Sequence, residues 1–138
     1  MQKFLQPYSI LIVLVSVLIS CTNIKDAKLN SSTTDFPLAI YTELVHDFGE
    51  INEGEEVGID FWFKNQGKVP LVINRVNVGC GCTSAFLPKE PVAPGDSSYI
   101  RVLFNSKHKE GKQIKNIQVF DNSEKKMNEL LILAFVKN

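Results

Sequence analysis

The chain has 138 residues with 15 basic and 15 acidic side chains, and 44% of its residues are hydrophobic. This length allows one small domain with a single core. The sequence contains no basic block or stripe, and therefore we expect no nucleic-acid partner.

The first 20 residues have the pattern of a secretory signal. Lys3 precedes an apolar run over residues 8–19, which is too short for a membrane-spanning helix of roughly 20 residues. The tetrapeptide Leu-Ile-Ser-Cys that ends at Cys21 resembles a bacterial lipobox, whose cysteine takes a diacylglyceryl group and becomes the new N-terminus. The alternatives are an uncleaved anchor and a cleaved chain with a free thiol. We predict a lipoprotein signal peptide over 1–20 and lipidation of Cys21.

The segment that follows the predicted cleavage site is polar. Residues 22–36 are rich in Ser, Thr, Asn and Lys, and such a segment cannot bury enough apolar surface to order itself. We predict a lipid-anchored flexible tether over 21–38 and a folded domain over 39–138. The mature protein would be anchored in the bacterial cell envelope, facing the periplasm or the cell exterior.

The predicted domain shows short strand-like runs and no long helical periodicity. Runs rich in β-branched and aromatic residues are separated by turn signals roughly every ten residues, which is typical of an all-β sandwich. The runs cover residues 43–48, 57–64, 71–78, 99–104, 117–119 and 130–136. The last run is almost continuously apolar, which predicts a strand that is either buried on both faces or central in its sheet. We predict six to seven strands.

Gly49 is expected to end the first strand. Two other local features allow more than one interpretation. Residues 124–130 have good helix propensity, but their shortness favours a hairpin connection. Trp62 lies on the opposite face from Phe61 and Phe63, so it is either covered by the tether or exposed. We expect partial burial, and an exposed tryptophan would mark a contact patch.

The strand pattern also predicts which side chains form the core. They are the inward-facing residues of successive strands: Ile59, Phe61, Phe63, Leu71, Ile73, Ile100, Val102, Phe104, Ile117, Val119 and Ile132.

Cys80 and Cys82 are the only thiols that remain if Cys21 carries lipid. The intervening Gly81 allows a tight or positive-φ turn. One interpretation is a disulfide across a very small ring, which should be strained and easily reduced. A second is a soft-metal site, because two thiolates suit Cu(I). The third is a structural loop whose sulfurs pack as small apolar groups.

We predict no catalytic residue, cofactor or metal site elsewhere. A structural zinc needs about four ligands, and His46 and His108 lie in separate segments. His46 and Asp47 are neighbours on a predicted strand and point to opposite faces. The chain also lacks a nucleophile elbow, a phosphate loop and a zinc-protease helix motif.

Several short motifs occur in an order that resembles a known family. They are His46-Asp47-Phe48-Gly49, Phe63-Lys64-Asn65-x-Gly67, Leu71-Val72-Ile73, Cys80-Gly81-Cys82-Thr83, and Pro94-Gly95 followed by Ile100-x-Val102-x-Phe104. Over about residues 43–136 the chain resembles the bacterial domain-of-unknown-function family 1573. The resemblance implies an immunoglobulin-like domain in a bacterial envelope and brings no established activity. One departure is that proline, often found soon after the cysteine motif in this family, occurs here only at Pro88.

We therefore predict a non-enzymatic, lipid-anchored binding or structural module with an immunoglobulin-like β-sandwich fold. It would contact the membrane through the lipid on Cys21 and bind a protein partner in the envelope. The alternative is a thiol redox or copper-handling lipoprotein that uses Cys80 and Cys82. We expect these two cysteines in an exposed loop at one end of the sandwich, beside the proline-rich connection 88–94.

Overall fold

The computed structural model describes residues 35–138. The predicted signal peptide, the predicted lipidation site Cys21 and most of the predicted tether lie outside these residues. The described part is all-β, with strands β1 (Ala39–Tyr41), β2 (Val45–Asn52), β3 (Glu56–Asn65), β4 (Ile73–Val78), β5 (Thr83–Phe86), β6 (Ser97–Asn105), β7 (Gly111–Asp121) and β8 (Met127–Lys137). No helix long and apolar enough to cross a bilayer occurs within residues 35–138.

The strands form two four-stranded sheets that pack face to face. The front sheet has the order β1-β3-β6-β5, and all of its pairs are antiparallel. The back sheet has the order β2-β8-β7-β4, in which β2 runs parallel to β8. The fold is thus the predicted β-sandwich, whose two inner faces enclose a single core.

Eight strands are present in the described residues, rather than six to seven. The two unpredicted strands are β1, with three residues, and β5, with four. Both lie at the edges of the front sheet. A strand this short shows too few alternations for its period to be recognised in the sequence.

The core confirms the inward face predicted from the alternation. Nine of the eleven predicted side chains are buried, and Ile59 and Ile73 pack against the core while partly exposed. The core also contains hydrophobic side chains that the prediction omitted: Ile51, Val92, Leu130, Ala134 and Val136.

Strand β8 is central in the back sheet, between β2 and β7. Of the two alternatives predicted for its apolar sequence, the central position is therefore correct. Its inward side chains are buried, whereas Phe135 on its other face is 49% exposed. The apolar run thus reflects one buried face and one half-covered face.

The first predicted strand does not end at Gly49. Strand β2 continues to Asn52, and its register with β8 shifts between Asp47 and Glu50. Gly49 has φ 69°, and its amide donates a 2.8 Å hydrogen bond to Oδ1 of Asp47. A bulge with glycine in the left-handed region therefore bends the strand without ending it.

The ambiguous segment 124–130 contains no helix, because residues 124–126 lie in the β7–β8 hairpin connection and residues 127–130 begin β8. Strand β7 ends at Asp121 and β8 begins at Met127. Lys126 has φ 61°, and its amide donates a 3.1 Å hydrogen bond to the carbonyl of Ser123. Because β7 and β8 pair along most of their length, tertiary pairing overrides the local helix propensity.

One end of the sandwich, which we call the Asn65 end, is organised by a fully buried asparagine side chain. Oδ1 of Asn65 accepts hydrogen bonds from the amides of Leu38 at 3.2 Å and Gly67 at 2.9 Å. Its Nδ2 donates to the carbonyls of Val69 at 2.8 Å and Val92 at 2.9 Å. The side chain thereby joins the start of the domain to two later loops.

Gly67 is required at this end because the chain passes close to it. A Cβ there would collide with backbone atoms of residues 36–38. The amide of Gln66 donates a 2.8 Å hydrogen bond to the carbonyl of Leu38. The last residues assigned to the predicted tether therefore lie against the β3–β4 loop.

Candidate functional site

The outward side chains of β3, β5 and β6 form what we call the aromatic face of the front sheet. They alternate with the core residues of the same strands, because successive strand residues point to opposite faces. The aromatic face consists of Gly58, Asp60, Trp62, Phe86, Tyr99, Arg101 and Leu103.

Trp62 and Tyr99 form an aromatic pair on this face. They are directly opposed in the register of β3 and β6, and their ring centroids lie 4.9 Å apart with an interplanar angle of 50°. Trp62 is nevertheless 48% exposed. The indole therefore keeps a large apolar surface in contact with water, as a contact patch requires.

Arg101 forms a paired charge at the centre of the aromatic face. Its Nε and Nη2 each donate a 2.7 Å hydrogen bond to the Asp60 carboxylate, and its Cζ lies 5.4 Å from the centroid of the Tyr99 ring. The hydrogen bonds and charge of Arg101 hold the pKa of Asp60 below its usual range. The bidentate geometry thus presents a rigid, nearly neutral polar group between aromatic rings.

Two shallow hollows flank Arg101. One has a volume of about 540 Å³ and includes Phe86 and Tyr99 in its lining, and the other has about 620 Å³ and includes Trp62. Leu103 lines both, and a Cβ on Gly58 would lie only 2.6 Å from its Cδ2. Glycine at position 58 therefore allows Leu103 to lie across the sheet between the hollows.

The cysteine turn lies at the other end of the sandwich, which we call the cysteine end. Cys80 and Cys82 form a disulfide with a Cα–Cα distance of 5.3 Å, and both residues are partly buried. The turn joins β4 of the back sheet to β5 of the front sheet. Of the three arrangements considered for these sulfurs, the structure contains the disulfide.

One expectation about this turn is wrong. The turn does not lie beside the connection 88–94, because β5 runs from the cysteine end to the Asn65 end and places that connection there. Its neighbour is the β6–β7 turn, which includes residues 107–109. Of the two forms expected for Gly81, the turn is tight, since the Thr83 amide donates a 3.3 Å hydrogen bond to the Cys80 carbonyl. Gly81 does not adopt positive φ, and a Cβ on it would meet nothing within 4 Å.

Thr83 is the residue of this site that sequence reasoning missed. It is 4% exposed, and its Oγ1 lies 3.5 Å from Sγ of Cys80 and 3.9 Å from Sγ of Cys82. Within residues 35–138, the sulfurs are the only hydrogen-bonding partners of this hydroxyl. Its position as the fourth residue of the cysteine motif was the available signal.

A third hollow, of about 430 Å³, opens at the cysteine end and includes Cys82 in its lining. The ionisable side chains around it are those of Glu56, Lys107, His108 and Lys109. Leu103 lines this hollow as well as the two beside Arg101. The cysteine turn and the aromatic face are therefore adjacent parts of one surface.

The two histidines lie in different surroundings. His46 packs edge-on against Phe48 at 4.7 Å, with its Nδ1 3.5 Å from a carboxylate oxygen of Glu43, whereas His108 lies in the β6–β7 turn. Across the part of the chain that the structure describes, no three His, Cys, Asp or Glu side chains are grouped so as to hold a metal ion.

Comparison with known proteins matches a family to almost the whole sandwich. The model of a family described as "Protein of unknown function (DUF1573)" matches residues 40–136. No curated protein sequence matches the chain.

Solved structures share the fold at low sequence identity. A Porphyromonas gingivalis W83 protein of unknown function is 16% identical with a TM-score of 0.65, and the alignment covers 78% of this chain and 51% of that one. The ASH/PapD-like domain 7 of human CEP192 is 8% identical with a TM-score of 0.58, covering 79% and 92%. The Vibrio cholerae VesB protease is 14% identical with a TM-score of 0.55, covering 76% and 32%. This chain thus spans about half of the Porphyromonas protein, and the likenesses show the fold alone.

Proposed function

The chain belongs to the family of proteins of unknown function DUF1573, and on that premise we propose that it is a non-enzymatic, lipid-anchored binding module of the bacterial cell envelope. Its ligand is a protein partner that contacts the aromatic face. The observation that carries this proposal is the half-exposed Trp62–Tyr99 pair beside the Arg101–Asp60 ion pair.

The composition of the aromatic face favours a protein as the occupant. Trp, Tyr and Arg are the side chains that most often supply binding energy at the centre of protein interfaces. Both nitrogens that Arg101 directs at Asp60 are already occupied, so the centre of the face has no unpaired arginine for a phosphate. An apolar segment of a protein could cover the Trp62 and Tyr99 rings while leaving the ion pair intact.

The outer face of the back sheet provides the internal comparison. Val45, Ile114 and Phe135 are about half exposed there. In the register of the strands, Phe135 lies opposite Lys112 and Ile114 lies opposite Leu133, so no two aromatic rings are paired. Scattered apolar side chains of this kind are ordinary on protein surfaces.

Site-specific crosslinking in cells tests the proposal. A photoreactive amino acid replaces Tyr99 in one strain and Phe135 in another, and crosslinked products are isolated from the envelope fraction. We expect a discrete product only from position 99, and Trp62→Ala should weaken partner binding by roughly 30-fold, as is typical of a central interface residue. Equal products from both positions, or a product that is unaffected by Trp62→Ala, would contradict the proposal.

Lipid anchoring rests on the lipobox-like sequence before Cys21 and the short apolar run at 8–19. We expect the mature N-terminal peptide to begin at Cys21 and to carry the mass of a diacylglyceryl group. A Cys21→Ala variant should leave the membrane fraction, and mass spectrometry of the N-terminal peptide checks the modification. The anchor is refuted if this variant stays equally membrane-bound.

A further inference from the structure

We propose that the Cys80–Cys82 disulfide is a thiol–disulfide exchange site, in which a partner thiolate attacks Cys82 and Thr83 stabilises the departing Cys80 thiolate. This goes beyond partner binding on the aromatic face. It rests on three features of the cysteine end: the hollow beside Cys82, the buried hydroxyl of Thr83, and the small size of the disulfide ring.

The hollow identifies the sulfur that is attacked. Cys82 and Gly81 line it, whereas Cys80 does not. An incoming thiolate is an anion, and Lys107 and Lys109 line the same hollow together with one carboxylate, that of Glu56. Basic side chains favour the approach and the ionised form of a thiol.

Other ionisable groups lie at or near this hollow and contribute to its charge. His108 also lines it, and the amide of His108 donates a 2.7 Å hydrogen bond to the Glu53 carboxylate. The side chain of Lys115 points inward from β7 toward the Phe104 ring, and burial, with the charge of Lys109, lowers the pKa of its ammonium. Two lysines thus face the hollow directly.

Thr83 identifies the leaving sulfur. Its hydroxyl is nearer to Sγ of Cys80 than to Sγ of Cys82, at 3.5 Å against 3.9 Å. A disulfide sulfur is a weak acceptor, whereas a thiolate forms a strong, charge-assisted hydrogen bond. The hydroxyl is therefore placed to gain most when the electron pair of the broken bond moves to Cys80.

The chemical step is balanced with a dithiol protein or peptide as the reductant. Its first thiolate attacks Sγ of Cys82, a mixed disulfide forms, the Cys80–Cys82 bond breaks, and its electron pair remains on Sγ of Cys80. The second thiolate of the partner then attacks the partner sulfur of the mixed disulfide and releases Cys82 as a thiolate. The partner leaves as a disulfide, and Cys80 and Cys82 take up two protons as thiols.

The ring is small enough to open without loss of the fold. The two cysteines are separated by two positions in sequence, and the stabilisation that a disulfide gives falls as its loop shortens. The main-chain hydrogen bond from the Asn105 amide to the Cys82 carbonyl, at 2.9 Å, does not depend on the sulfurs. The disulfide can therefore be reduced and formed again while the domain stays folded.

Reduction of the full chain by glutathione tests the proposal, with alkylation and fragment mass spectrometry locating each adduct. We expect the first glutathionyl adduct on Cys82, and thiols that appear while the circular dichroism spectrum is unchanged. Thr83→Val should slow reduction about ten-fold, the loss expected for one hydrogen bond to a charged group. Thr83→Ser should retain the rate, and Ser97→Ala, which removes an exposed hydroxyl outside the hollow, should have no effect.

A pH titration separates stabilisation of the thiolate from a packing defect. In a Cys82→Ser chain the alkylation rate of Cys80 reports the pKa of its thiol, and Thr83→Val should raise that pKa while Thr83→Ser should not. The proposal is overturned if the first adduct forms on Cys80, if thiols appear only with global unfolding, or if Thr83→Val leaves both rate and pKa unchanged. Trp62→Ala should not alter the glutathione reaction, so failure of the exchange site and failure of the partner surface are distinguishable.

Discussion

Both ends of the sandwich bury polar side chains, and Asn65 at one end and Thr83 at the other make different kinds of contact. At the Asn65 end, the asparagine side chain makes four hydrogen bonds, all to backbone groups. At the cysteine end, the Thr83 hydroxyl has the two sulfurs of a reducible bond as its only hydrogen-bonding partners among the described residues. A buried polar group satisfied by the backbone holds the fold, whereas one whose partners can change charge is available for chemistry.

The partners explain this difference in physical terms. Backbone amides and carbonyls keep the same charge under all conditions in which the protein is folded, so the contacts of Asn65 add only to stability. The sulfur next to Thr83 changes from a weak acceptor to an anion when the disulfide opens. Variants that affect one end and spare the other can therefore test the comparison.

The largest loss of stability should come from truncating a side chain of the shared core, at either end of the sandwich. Phe63 and Phe104 are both essentially buried, and Phe63→Ala or Phe104→Ala should each lower the free energy of unfolding by about 3–5 kcal/mol. Phe86→Ala is the control, because Phe86 is 55% exposed. Urea denaturation provides the measurement. If both core variants lose less than about 1 kcal/mol, the inward face is assigned incorrectly.

Asn65→Leu should have the next largest effect, a loss of about 2–4 kcal/mol, since it removes every side-chain hydrogen bond of Asn65. The Val92 carbonyl would lose this buried donor and keep its hydrogen bond from the Leu71 amide, while the other partners are partly exposed and could be hydrated. Asn77→Leu is the matched control, because the single amide contact of Asn77, to Gln118, is exposed. Equal losses in the two variants would show that Asn65 does not organise its end.

Alanine substitution of one glycine at each end should change stability by smaller and unequal amounts. Gly67→Ala places a Cβ against the backbone of residues 36–38 and should cost about 1–3 kcal/mol. Gly81→Ala meets open space at the cysteine turn, so stability should change by less than about 0.5 kcal/mol. Thermal unfolding of both variants gives the answer, and the close approach at the Asn65 end is refuted if the two melting temperatures agree.

Tyr41→Phe should have a small effect at neutral pH. The Tyr41 hydroxyl is buried and has no hydrogen-bond partner among the described residues, so its removal should change stability by about 1 kcal/mol or less, in the stabilising direction. Burial, and secondarily the Asp121 carboxylate, raise the pKa of Tyr41 above 10.0. The unfolded chain therefore ionises this group first, and the wild type should lose stability as pH rises above about 10, where the variant loses less. Urea titrations at neutral and alkaline pH check both statements, and identical alkaline losses would contradict the second.

The fold class and most of the core followed from local patterns. In residues 57–64 and 99–104 apolar and polar side chains alternate, and a strand exposes its two faces with a period of two, so Phe61 and Val102 could be assigned inward without knowledge of the topology. The cysteine spacing likewise predicted sulfurs close enough to bond, because only one residue separates them. Gly49 was misassigned because a glycine in a bulge and a glycine after a strand look alike in sequence.

The amino-acid sequence by itself determined the all-β class, the inward faces and the proximity of Cys80 to Cys82, since these depend on contacts between near neighbours in the chain. Only the tertiary structure decided that Trp62 opposes Tyr99, that Asp60 reaches Arg101, and that the cysteine turn borders the β6–β7 turn. Each of those pairings joins segments far apart in sequence, and their register depends on turn lengths and strand direction. The burial of Thr83 against the sulfurs has the same origin, because it requires the edge strand β5 to pair with β6.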